Sequence, residues 1–403
     1  MTLQRSLRPL RFHEALSDAL QALEPGLWRW FSSDSYGKKY AETVKLELLR
    51  STYRLPKESN EKLYAIGEEV AEAFQLNAPL TLYQAQEDGA LNAGLVFVPS
   101  EIHVVLRGPV MQTLTDGEIR ALFGHELAHH KLWTEASGKF RIAEALIEHV
   151  ATHQGGAPSH VQSALRHRRW TEIYADRGSL VACDDLTIAV GCLVKMTTGV
   201  REVDPQAYLG QADEAIRAAA KPSEGTTHPD AFIRAFALKA WDGGEDDDVV
   251  RRLVEGVPEI DALDLVQQRA LTRATQDLLE LLLAPSWMRT EATLAHARRF
   301  FPDVTFAGSM QSFTLPDGGE SVAEYLAYLL LDFGMADPEI EEVSLAYAAH
   351  LAAEIGVHPA LAKIAKKDLR ISASSYAELE KRGRELASQH REPSPAVALE
   401  ASP

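Results

Sequence analysis

Two histidines four positions apart, His125 and His129, with Glu126 directly after the first, set the strongest constraint on this 403-residue chain. Residues i and i+4 of a helix share a face, so a helix here aims both imidazoles at one point from a rigid scaffold. That arrangement suits a zinc ion. A glutamate beside it can take a proton from a water activated there. The flanking residues predict the helix. Thr115-Asp116-Gly117-Glu118 reads as a capping box with Thr115 as N-cap, and Ile119, Leu122 and Phe123 open an apolar face. The helix is expected to continue through Gly124-His125-Glu126-Leu127-Ala128-His129-His130 to about Trp133. His130 faces elsewhere and reads as a packing residue.

A catalytic zinc takes three protein ligands and keeps one position open. Glu172-Ile173-Tyr174-Ala175-Asp176 supplies two carboxylates on one helix face. One can ligate the ion, and the other can accept the N–H of a ligating histidine and fix its tautomer.

These two segments together resemble the HtpX and CAAX-prenyl-protease (Oma-type) family of gluzincin metallopeptidases. Leu91-Asn92-Ala93 resembles that family's Asn-Ala element, and Thr227-His228-Pro229 with Arg234 its Thr-His-Pro element and following arginine. The likeness covers roughly 57–241. It implies a zincin-like peptidase domain holding one zinc ion per chain. His125, His129 and Glu172 become metal ligands, Glu126 the general base, and Asp176 the partner that orients a ligand histidine. His228 is expected near the metal, as a stabiliser of the tetrahedral intermediate or as a fourth ligand in a closed state. Asn92 and Ala93 are expected to position substrate along an edge strand. A donor aimed at the developing oxyanion is worth about 2.7–4 kcal/mol, and Tyr174 and Arg234 are further candidates for that role. Many members of that family carry transmembrane helices, and no stretch here approaches the ~18 apolar residues a span needs. Soluble polypeptides, including unfolded or damaged ones, are therefore the expected substrates.

The formal net charge of -17, from 58 acidic against 41 basic residues, argues against nucleic acid or an anionic membrane surface as partner. Cys183 and Cys192 offer no disulfide framework, and the N-terminus shows no apolar run behind its basic residues. Both features point to a reducing, cytoplasmic setting.

Periodicity predicts an α+β chain, predominantly helical. A small sheet (80–83, 94–99 and 102–106) precedes the histidine helix. Helices are expected over 57–74, 139–152, 160–183, 186–197, 205–220, 231–241, 263–283, 288–300, 322–333, 340–355 and 359–367. An N-terminal helical segment (1–56), carrying Trp28, Trp30 and Phe31, is expected to pack on the peptidase domain (57–243). Gly243, Gly244 and the acidic run 245–248 mark an edge. Beyond it lie a helical connecting region (244–315), an all-α module (316–389) resembling the TerB type, and a disordered tail (390–403). The extra helices leave room for an oligomer, and for a second reading: a zinc-stabilised binding or chaperone-like protein, self-inhibited or without peptidase activity.

Overall fold

The structure is a computed structural model, and it describes residues 6–86, 90–98, 100–152, 156–218, 228–244, 248–307 and 313–390. The expected disordered tail lies outside these from 391 onward, whereas His390 closes a helix; Thr227, Pro99 and the end of the 205–220 helix also lie outside. The chain forms two compact units, Met1–Gly256 with Asp264–Val266, and Val257–Leu263 with Gln267–Pro403.

The first unit contains a four-stranded sheet in the order β1-β2-β4-β3, made of β1 (Thr52–Arg54), β2 (Leu80–Ala85), β3 (Asn92–Val98) and β4 (Glu101–Arg107). β2 and β4 run parallel, and β3 lies antiparallel to β4 at the sheet edge. β1 was not expected: its three residues are too few to show alternation. Helices α1 (Arg11–Leu23), α2 (Pro25–Phe31) and α3 (Asp34–Ser51) precede it, and α4 (Glu61–Ala73) and the short α5 (Val110–Thr113) lead to the histidine helix.

That helix, α6 (Asp116–Thr134), begins as the sequence predicts. The Glu118 amide donates to Thr115 Oγ1 at 3.3 Å, and the Thr115 amide donates to Glu118 Oε2 at 2.8 Å. α7 (Lys139–Thr152) and α8 (Pro158–Cys183) follow, the latter opening on proline, whose missing N–H costs nothing in a first turn. α9 (Leu186–Thr198) starts at Asp185, whose carboxylate accepts the Thr187 amide at 2.7 Å, and stops at Gly199 with φ 72°. α10 (Pro205–Arg217), α11 (Ala231–Gly243) and α12 (Asp248–Glu255) complete the unit.

The core places α6 against α8. Their crossing is close because glycines face each other. A Cβ on Gly124 would lie 2.6 Å from the Gly178 carbonyl oxygen, and one on Gly178 would lie 2.5 Å from Ala128 Cβ. The histidines on α6 and the carboxylates on α8 meet across this contact. α1 backs it up from the N-terminal segment: buried His13 sits with Nε2 3.3 Å from Thr171 Oγ1, one residue before Glu172.

The edge expected near 243 falls later. Val250, Leu253 and Val254 of α12 are buried in the first core, so the unit continues to Gly256 across the acidic run. The second unit comprises most of α13 (Leu265–Leu282), then α14 (Glu291–Phe300), α15 (Glu320–Gly334), α16 (Glu341–Glu354), α17 (His358–Asp368) and α18 (Ala373–His390). Leu278, Leu282 and Met288 share its core with Leu326, Leu330, Phe333 and Leu361. The segment read as a connecting region therefore packs with the module instead of standing apart from it.

Candidate active site

His125, Glu126 and His129 of α6, with Glu172 and Asp176 of α8, line one cleft of about 720 Å³. Each reaches it because helical spacing turns it to the same side. His125 Nε2 lies 3.6 Å from Glu172 Oε2, and His129 Nε2 lies 4.0 Å from Glu172 Oε1. One donor atom from each of these three residues falls within 4.8 Å of the others. Such spacings exceed a hydrogen bond but approach the roughly 3.4 Å between ligands of a tetrahedral ion with bonds near 2.1 Å. The donor set, two imidazoles and one carboxylate, matches the preference of zinc. By geometry and by chemistry the three residues fit that ion.

Around them runs a second layer of contacts. His125 Nδ1 is 3.1 Å from Asp176 Oδ1, which leaves Nε2 for the cleft. Arg234, brought by α11, donates from Nε to Asp176 Oδ2 at 2.7 Å and from Nη2 to Asp176 Oδ1 at 2.6 Å. The same Nη2 lies 3.2 Å from Glu172 Oε2. His228, largely exposed at the cleft mouth, places Nδ1 3.3 Å from Glu172 Oε1. The Leu95 amide of edge strand β3 donates to the buried Glu126 carboxylate.

Charge in this cleft follows from burial and neighbours. Burial opposes ionisation of Glu172, but Arg234, then His228 and the two site histidines, outweigh it and hold its carboxyl far below the usual range. Asp176 is lowered in the same way, against burial, by Arg234 and His125. Burial, reinforced by Glu172, raises Glu126, although His125 and the Leu95 amide partly offset it. Burial acts to lower His125, but Asp176, Glu172 and Glu126 raise it overall. His129 is pushed down to about 4 by burial and then by His125, so at neutral pH it is the neutral imidazole that can ligate a metal.

Two of the expected donors sit differently from one another. Tyr174 is fully buried and does not line the cleft; its ring meets that of His13 at 5.9 Å, so it is a core residue and not an oxyanion donor. It lies two positions after Glu172, and on a helix that turns it away. Arg234 does line the cleft, but its guanidinium is engaged by Asp176 and Glu172. Asn92 and Ala93 line the cleft at the start of β3. His130 is buried against Phe97, with ring centroids 5.8 Å apart.

Several residues that line the cleft were not singled out in the sequence, Leu95, Trp133 and His167 among them. Leu95 contributes a backbone group, which no side-chain pattern reveals. Trp133 stacks at 5.6 Å from His129 and sits four residues after it, a spacing that could have flagged it. His167 lines the cleft from α8, nine positions before Asp176, but outside any recognisable pattern.

Buried neutral histidines also make stability depend on pH. Burial pushes His167 and His130 down to about 4, with His130 lowered further by His103 and His167 by nearby arginines. In the unfolded chain they titrate near 6.5. As pH falls from about 6.5 to about 4 the unfolded state therefore takes up protons that the folded state refuses, and each residue removes on the order of 3 kcal/mol. Denaturant titrations of metal-free protein should show stability falling over that window, with a shallower fall in His167→Gln.

Comparison with known proteins comes to the same region. Over 234 residues the chain is 24% identical to "Plastoglobule-localized metallopeptidase 48, chloroplastic" of Arabidopsis thaliana, covering 54% of this chain and 67% of that relative. No solved structure matches the chain. Among the described residues no helix is long and apolar enough to cross a membrane. Residues 57–242 match the family described as "Peptidase family M48", and this segment is accordingly similar to a metallopeptidase domain of that family.

Proposed function

We propose that this chain is a zinc-dependent endopeptidase of the HtpX and Oma-type branch, cutting soluble polypeptides that are unfolded or damaged. The observation that carries the reading is the meeting of His125, His129 and Glu172 within 4.8 Å of one another, in the cleft that also holds Glu126. In this reading those three residues hold one zinc ion, which when bound lowers the pKa of a water and polarises the scissile carbonyl.

The protein's own groups do the rest. Glu126, its proton affinity raised by burial, accepts the proton of the attacking water and returns it to the leaving amine. Asp176 holds the Nδ1 proton of His125, so that Nε2 presents its lone pair to the cleft. Arg234 keeps Asp176 and Glu172 ionised and fixes their orientation. His228, at the exposed rim, donates to the oxygen on which negative charge builds. Substrate lies extended along β3, beside Asn92 and Ala93, because among the described residues no further strand pairs with that edge of the sheet. The helices beyond 316 are proposed as a TerB-type module serving assembly or a partner, and the compartment as the cytoplasm.

Digestion of casein by the full chain, with and without 1,10-phenanthroline, tests this. Fragmentation should stop in the chelator and return when zinc is added in excess. Zinc-dependent binding of casein without cleavage would instead favour the binding or chaperone-like reading.

A further inference from the structure

Past His129 the cleft is lined by side chains that play no part in the site described so far: Trp133 of α6, Glu144 of α7, and His167, Arg168 and Thr171 of α8. Trp133 lies one helical turn after His129, and their rings pack at 5.6 Å. Its indole Nε1 donates to Glu144 Oε2. One indole ring therefore separates the Glu144 carboxylate from a residue of the metal site.

Two charged groups face the cleft here, and they are neutralised unequally. Arg168 is taken up by Glu148, donating from Nε to Oε1 at 2.6 Å and from Nη2 to Oε2. Glu144 has only a neutral indole as its hydrogen-bond donor. The cation beside it, Arg141, stands 3.6 Å from Oε1, longer than a hydrogen bond. Arg141 is instead held over the rings of Tyr40, Phe97 and Trp133, at 5.4, 5.4 and 5.5 Å. Burial pushes the Glu144 carboxyl above its usual range, and Arg141 and Trp133 offset only part of that. A cation arriving along the cleft offsets more of it.

The direction of the edge strand says which part of a substrate meets these residues. Leu95 is bonded to Glu126, and Phe97 further along β3 packs on Trp133 at 5.5 Å. β3 thus advances toward Trp133. A strand added antiparallel to it, the commoner pairing, runs the opposite way. Its residues before the scissile bond then lie on the side of Trp133 and Glu144.

We propose that Glu144 determines specificity for the side chain directly preceding the scissile bond, and that it selects lysine or arginine there. The inference rests on the peptidase reading. The aliphatic stem of such a side chain lies along Trp133 and Thr171, and its charged end meets the carboxylate. An acidic side chain in the same place meets a like charge, because Arg168 already has its partner. The net charge of -17 also favours the approach of basic segments over acidic ones.

Cleavage sites mapped by mass spectrometry on a denatured proteome digested with the zinc-loaded full chain provide the test. Lys and Arg should be enriched, and Asp and Glu depleted, directly before the bonds cut. This map decides the matter without any variant. Glu144→Gln sharpens it, since Gln keeps the shape and an oxygen for Trp133 Nε1 but carries no charge. On two peptides that differ only in Arg or Leu before the bond, the variant should lower the ratio of their specificity constants by about 10–100-fold, the worth of a hydrogen bond to a charged group. A wild-type map with no basic preference before the bond, with that preference after it, or with acidic residues enriched instead overturns the subsite and leaves the peptidase standing. So does an unchanged ratio in Glu144→Gln. Absence of any zinc-dependent cleavage by the wild type overturns the peptidase reading and the subsite with it.

Discussion

Glu126→Gln should lower kcat on any cleaved polypeptide by about 10³-fold, within the range that a positioned general base contributes, while leaving fold and zinc content intact. The reasoning is local. Gln has the same shape and keeps an oxygen to accept the Leu95 amide. It cannot take a proton from water. Burial already disfavours the charged glutamate, so a neutral amide in its place should leave the melting temperature unchanged or slightly raised. The combination is what identifies a base: activity lost, metal retained, stability not reduced. A variant with wild-type turnover removes Glu126 from the chemistry. One that loses zinc together with activity makes its role structural.

Gly178→Val should have the largest effect on the framework of the site. Its first added carbon would meet Ala128 Cβ at 2.5 Å and the Gly124 carbonyl oxygen at 2.6 Å, closer than real contacts allow. Helices α6 and α8 must then move apart, and they carry the histidines and the carboxylates respectively. Overpacking of this kind costs about 1–3 kcal/mol, more than the gain of about 0.5–1 kcal/mol from removing a helical glycine. Chemical denaturation should show the loss, and a zinc titration should show weaker binding. Gly210→Ala is the control, since nothing lies within 4 Å of a Cβ at that site on α10. It should be neutral or stabilising.

Much of this arrangement can be read from the residues alone. The capping box at Thr115, the i and i+4 histidines and the paired carboxylates of α8 are local patterns, and local patterns survive in one dimension. The strands around 80, 94 and 102 announce themselves by β-branched content and intervening turns. The rest depends on tertiary contact. β1 is a strand because β2 offers it partners, with Thr52 opposite Ala85. α12 belongs to the first unit because Val250 and Val254 are buried there, although the acidic run before it looks like a boundary. Tyr174 carries the right chemistry for an oxyanion donor, and only the turn of α8 shows that it faces the core. Arg234 likewise carries donors, but two carboxylates engage them. The part played by Gly178 is invisible until the helix opposite it is known.

The central claim is that His125, His129 and Glu172 jointly hold a metal ion, and elemental analysis of the purified chain after zinc loading and exhaustive dialysis tests it most directly. One zinc per chain is expected in the wild type and in His130→Gln, falling close to zero in His129→Ala and in Glu172→Ala. A wild-type chain without zinc, or a Glu172→Ala chain that keeps its full complement, would contradict it.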